Sequence, residues 1–155
     1  MDKKLFEYLN SLNIKYTEYE HPAVFTVAES KKLNLKIPGM HTKNLFLKDE
    51  NENFYLLVCP GEKRMNLKEL KKNLSVKEIH FGSPDELKSE LNSSSGSVSI
   101  FAMIYAKKVH LLIDKEVWLV KEVGFHPNLN TSTLVISHED LEKFYNSLTC
   151  EKEVI

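Results

Sequence analysis

His41, Thr42, Lys43 and Asn44 are four consecutive polar side chains at the head of an apolar run, in the stretch PGMHTKNLFL from Pro38 to Leu47. A strand usually opens on something to bury, so this run is a candidate site. An ammonium held half out of water can bind a carbonyl, a phosphate or a ribose hydroxyl, and desolvation lowers its pKa toward proton exchange. Three other stretches carry more polar specificity than folding needs. Gly96 to Ser99 is a loop in which glycine lets the backbone approach a ligand and present N–H groups. GFHPNLNTS gathers His126, Asn128, Asn130 and Thr131 around Pro127, and HFGSP spans His80 to Pro84. Each also has a purely structural reading, as a solvated strand end, a connector, a capped turn or a helix start.

Several common chemistries are not written in the chain. It has no glycine-rich phosphate loop, no dinucleotide fingerprint and no Gly-x-Ser-x-Gly elbow. Its six histidines are scattered without a close Cys, His or Glu partner, so no metal and no cofactor are expected. Cys59 and Cys150 lack the spacing of a zinc or redox motif and read as reduced thiols. With a net charge of -1 and Arg64 as the single arginine, no global field recruits nucleic acid, and arginine forks for reading duplex DNA are absent. Any RNA contact must come from a local patch. No signal peptide or run of membrane-spanning length is visible, which leads us to expect a soluble, cytoplasmic protein.

The elements that must position these residues follow from periodicity and caps. Asp2 caps a first helix with Leu5, Phe6, Leu9 and Leu12 on its buried face. KYTEYEH alternates as a strand, and Thr26 with Glu29 predicts a helix from about Val27 to Leu33. Leu45–Lys48 and Phe54–Cys59 read as a hairpin with a polar tip. MNLKELKKNL is a helix, SVKEIHF a strand, and SPDELKSEL a helix capped by Ser83 with Pro84 in its first turn. KVHLLID, VWLVKEV and TSTLVIS read as strands, and Ser137 opens a last helix. At 155 residues this is one α+β domain over 1–150, with a mixed, largely antiparallel sheet flanked by helices and a frayed tail over 151–155.

Taken together, HPAVFTVAE, IPGMHTKNLFLKD, NLKELKKNL, FGSPDEL, GSVSIFAMI and GFHPNLNTSTLVIS resemble, in order and over most of the chain, the free-standing Ala-tRNA(Pro) deacylases. These are related to the editing domain of bacterial prolyl-tRNA synthetases and to the YbaK proteins. The resemblance implies an enzyme that hydrolyses the ester of alanine wrongly joined to tRNA(Pro), acting in trans, with the acceptor end of that tRNA as partner and prolyl-tRNA synthetase as a neighbour. It implies neither a DNA nor a membrane partner. It makes Lys43 the principal catalytic side chain, and it gives Gly96 and Ser97 a role through backbone N–H groups near the reacting carbonyl. Met40, His41, Thr42, Asn44, Val98, Ser99, His126, Asn130 and Thr131 then line the substrate pocket, with Phe25 in its apolar wall. Ile100 departs from the pattern, because relatives usually carry proline there. A deacylase for another residue such as cysteine, and a non-catalytic tRNA- or synthetase-binding module, are the alternatives.

Overall fold

The computed structural model describes residues 1–23, 29, 31–32 and 36–155. The helix expected near Val27 to Leu33, and Phe25 with it, lie outside the described residues. Helix α1 (Lys3–Ser11) starts where the Asp2 carboxylate accepts the Leu5 N–H, and buries Leu5 and Leu9 one turn apart. Phe6 was expected on that face, but it is 48% exposed, because it lies about 100° round the helix from Leu5.

Strand β1 (Thr17–Glu20) is followed by β2 (Met40–Asp49) and β3 (Phe54–Pro60). The expected hairpin is therefore longer at its entry, since β2 begins at Met40 and carries the whole His41–Asn44 run. Its tip is organised by the buried Asp49, whose carboxylate accepts from the Asn51 and Asn53 N–H groups, the Asn53 amide and the Tyr55 hydroxyl. Helix α2 (Leu67–Leu74), strand β4 (Ile79–Phe81) and helix α3 (Pro84–Leu91) come next. Ser83 and Glu86 close a reciprocal capping box at the head of α3.

A buried 3-10 helix (Ile100–Tyr105) leads to β5 (Val109–Ile113), α4 (Lys115–Leu119), β6 (Glu122–Phe125), β7 (Ser132–Ser137), α5 (His138–Ser147) and β8 (Lys152–Val154). Two expectations fail here. VWLVKEV is split, because the Asp114 carboxylate caps the Glu116 N–H and starts α4 before Val117 and Trp118 can extend; only Glu122 onward is strand. The tail does not fray. Lys152–Val154 pairs with Leu111–Ile113, and Ile155 closes the pairing at both its N–H and its carbonyl.

The sheet runs β1-β7-β6-β2-β3-β5-β8, with β4 also paired to β2; along this path β1/β7, β7/β6 and β2/β3 are antiparallel and β6/β2, β3/β5 and β5/β8 are parallel. The β2/β4 pair is antiparallel too. Both faces are covered, which is why β3 is buried at every position. On one face Phe46, Leu56, Val58 and Leu111 meet α1, α3, α5 and the 3-10 helix. On the other, Leu47, Tyr55, Leu57 and Leu112 meet Leu70 of α2. No helix among the described residues is long and apolar enough to cross a membrane.

Candidate functional site

Strand β2 lies in the middle of the sheet, yet one of its edges is only partly used. Along that edge Met40 and His41 pair with β6, and Leu47 to Asp49 pair with β4. Between these two partners the edge opens at Lys43 to Leu45. The β2–β3 register is regular throughout, setting Lys43 opposite Cys59 and Asn44 opposite Val58. Neighbouring strand residues face opposite ways, so Asn44 shares the face of Phe46 and the main core while Lys43 shares that of Leu45, Leu47 and the smaller core.

A cleft of about 350 Å³ sits at this opening, lined by Asn44, Leu45, Phe81, Gly82, Gly96 and Val98 among others. The Asn44 Oδ1 is buried and has no hydrogen-bond partner. Gly96 has φ +88°, a left-handed conformation that side chains rarely adopt. Among the described residues the Gly96 and Val98 N–H groups make no internal hydrogen bond, whereas Ser97 donates its N–H to the Ser94 carbonyl. The loop's free donors are thus those of Gly96, Val98 and the buried Ser99, and the Ser97 N–H that we expected to take part is already engaged.

The loop is held on both sides. Ser99 is buried, accepts the Phe101 N–H as cap of the 3-10 helix, and donates its hydroxyl to the His126 carbonyl. Behind it Phe101 packs edge-on against Phe125 and Phe144, with centroids 5.6 and 5.2 Å away. A Cβ at Gly96 would lie 4.0 Å from the Asn130 amide nitrogen. The two stretches singled out in the sequence, the glycine loop and FHPNLNT, are therefore in contact.

His126 is half-buried and its Nδ1 lies 2.9 Å from the Ser132 carbonyl. A carbonyl only accepts, so Nδ1 carries the proton and Nε2 keeps a lone pair in the neutral ring. Burial holds its pKa below the usual histidine value, and the nearby His21 and His41 rings press in the same direction. His21 was not among the expected site residues. Its ring sits 5.9 Å from that of His126, and it bonds the Pro22 carbonyl and the Thr133 hydroxyl. Its signal was the histidine opening HPAVFTVAE.

The other expected residues divide. His41 Nε2 meets the Ile37 carbonyl at 3.0 Å and the Thr42 hydroxyl donates to the Gly124 carbonyl at 2.8 Å, so both tie β2 to its surroundings. Met40 packs against the main core. Thr131 is exposed and lies in a different recess, with Met1, Glu18 and His21. Lys43 is half-buried, and its ammonium has no ion pair or hydrogen bond among the described residues. It is not in the lining of the cleft but stands beside Cys59, whose thiol burial pushes up to about 11 against the opposing pull of the Lys43 charge. A further recess of about 400 Å³ contains Lys63, Asp114 and Glu116, but there Lys63 already pairs with Asp114 at 2.8 Å and Glu116 at 3.4 Å.

The profile of the aminoacyl-tRNA editing domain family matches residues 21–144. The chain belongs to this family. It is similar to the prolyl-tRNA editing protein ProX of Acetoanaerobium sticklandii, 35% identical over 138 residues that cover 87% of this chain and 84% of the relative. It is also similar to prolyl-tRNA synthetase associated domain-containing protein 1 of Danio rerio, 32% identical over 146 residues, 92% of this chain and 79% of the relative. Among solved structures, hypothetical protein APE2540 superposes with a TM-score of 0.77 at 20% identity, covering 96% of this chain and 98% of that one. That last likeness establishes a shared fold and no more. In these terms, the open edge of β2, the Gly96 loop and the His126 segment converge within the part of the chain that the family profile spans.

Proposed function

We propose that this protein is a trans-acting deacylase that hydrolyses the ester of mischarged Ala-tRNA(Pro). The observation that carries the reading is the cleft at the open edge of β2, where an unpartnered Asn44 Oδ1 lies beside Gly96 and Val98, whose N–H groups have no partner. A largely apolar cleft with a few unmet donors and acceptors suits a small ligand that carries both an apolar group and a carbonyl. The name of the Acetoanaerobium sticklandii relative, a prolyl-tRNA editing protein, supports the editing of prolyl-tRNA.

In this reading the ester carbonyl accepts from the Gly96 and Val98 N–H groups, which also receive the charge when water adds to the carbonyl carbon. The bond from that carbon to the ribose oxygen then breaks, the ribose oxygen takes a proton, and the amino acid leaves as its carboxylate. Lys43, with no internal partner, is available to hold a phosphate or ribose oxygen of the terminal nucleotide at the other lip of the edge. The need for such an enzyme is physical. Alanine is smaller than proline, and a synthetase pocket gains only ~1–3 kcal/mol of discrimination from missing bulk, so a second, smaller sieve must act.

The test is release of amino acid from Ala-, Cys- and Pro-tRNA(Pro) by the purified protein. Alanine is expected to be released much faster than proline. Faster release of cysteine would move the substrate to that residue, and no release from any of the three would leave a binding module.

A further inference from the structure

Phe81 is 66% exposed, although it ends a strand and stands at the lip of the cleft. We propose that its ring is a stacking platform for the unpaired terminal base of the RNA whose ester enters the cleft. This rests on the deacylase reading above and adds a binding residue to it.

Three observations converge on this assignment. The first is position. Phe81 pairs with Leu47 across β4 and β2, so it shares the face that carries Leu45 and Lys43, at the mouth of the cleft that also holds Asn44 and Gly96. The ester of an aminoacyl-tRNA is carried on the ribose of the last nucleotide, so the base on that ribose must lie close to this mouth.

The second is rigidity. Gly82 donates its N–H to the Phe46 carbonyl, and a Cβ there would fall 2.3 Å from the Phe46 ring, so the backbone after Phe81 is pressed onto the sheet. The Phe46 ring is itself stacked on Phe54 at 5.3 Å. The next residue, Ser83, is locked in the capping box with Glu86, and Glu86 is tied to Lys48 at 2.8 Å. A large apolar ring is thus presented to water on a fixed mount, which lowers the ordering cost of a contact made there.

The third is charge. With a net charge of -1 and a single arginine, the chain has little phosphate grip to offer, so affinity for RNA must draw on contacts that do not depend on charge. Bases of single-stranded RNA stack on aromatic side chains whatever their identity.

The experiment measures binding of an unacylated RNA hairpin with a single-stranded CCA 3′ end, and of the same hairpin with its terminal base removed. Wild type is expected to bind the intact hairpin roughly ten-fold or more tightly than the abasic one. Phe81→Ala should lose that difference, binding both as wild type binds the abasic RNA, while Phe81→Trp should keep it. Phe81→Leu, which retains apolar area without a π face, should behave like the alanine variant. Because the side chain is largely in water, the thermal midpoints of the variants should match wild type. If Phe81→Ala still distinguishes the two RNAs as wild type does, or if Phe81→Leu restores the difference, the platform is wrong even when deacylation is normal. If the binding pattern holds but no ester is cleaved, the hydrolytic reading falls and the base platform stands.

Discussion

The Ser99 hydroxyl donates a hydrogen bond of 2.5 Å to the main-chain carbonyl of His126, two residues that are 27 positions apart. It joins the Gly96 loop to the FHPNLNT segment, and the same oxygen accepts the Phe101 N–H at the start of the 3-10 helix. Ser99→Ala removes both and leaves two buried groups short of a partner. We expect stability in urea to fall by about 1–2 kcal/mol. Deacylation should fall further than that loss alone requires, since the loop's free N–H groups lose their anchor. A variant with unchanged single-turnover rates would separate the loop's anchoring from its chemistry.

Lys43 takes no part in the core and has no internal partner, so Lys43→Ala should fold as wild type does. Its deacylation rate should drop by about 10²-fold or more, as for loss of a positioned polar group. Lys43→Arg should recover little, because a planar fork does not replace a compact ammonium. Circular dichroism alongside single-turnover kinetics makes the check, and near-normal rates in Lys43→Ala would leave the lysine as scaffolding.

Ile100 occupies the first position of the 3-10 helix, where the backbone N–H has no helical partner to lose, and Ser99 before it is extended at φ -148° and ψ 179°. Both conditions suit proline. Ile100 is also fully buried, so proline gives up packed methyl groups. Ile100→Pro should therefore preserve the loop and the ratio of alanine to cysteine release, with a net destabilisation of about 1 kcal/mol as rigidity gained offsets packing lost. A changed ratio in a folded variant would mean that the loop has been reset for another substrate.

His126 is held below its ordinary pKa of 6.5, chiefly by burial. Between the two values the unfolded chain binds more protons than the folded one, so folding stability rises with pH there. The contribution is complete above about 6.5 and is lost as pH falls through the lower, folded value. Denaturant midpoints measured from pH 8 to pH 5 should decline across that window, and His126→Gln should flatten this part of the profile. An unchanged slope in the variant would assign the decline to other groups.

Much of the architecture was legible because its causes are local. Asp2, Asn66, Ser83 and Ser137 each accept an N–H at the head of a helix that periodicity had already marked. The failures came where a side chain or a distant segment overrode propensity. Asp114 turned an apparent strand into a short helix, and β5 recruited a tail whose composition promised nothing.

The sequence by itself determined that Lys43 and Asn44 adjoin at the head of a strand, that Gly96 allows an unusual backbone, and that four polar stretches exist to be used. Only the tertiary structure decided which of them meet. The pleat of β2 turns Lys43 and Asn44 to opposite faces, and the departure of β6 and β4 from its edge opens the cleft between them. Pairing of strands and closure of loops depend on contacts between residues far apart in the chain, whose free energy no short stretch contains.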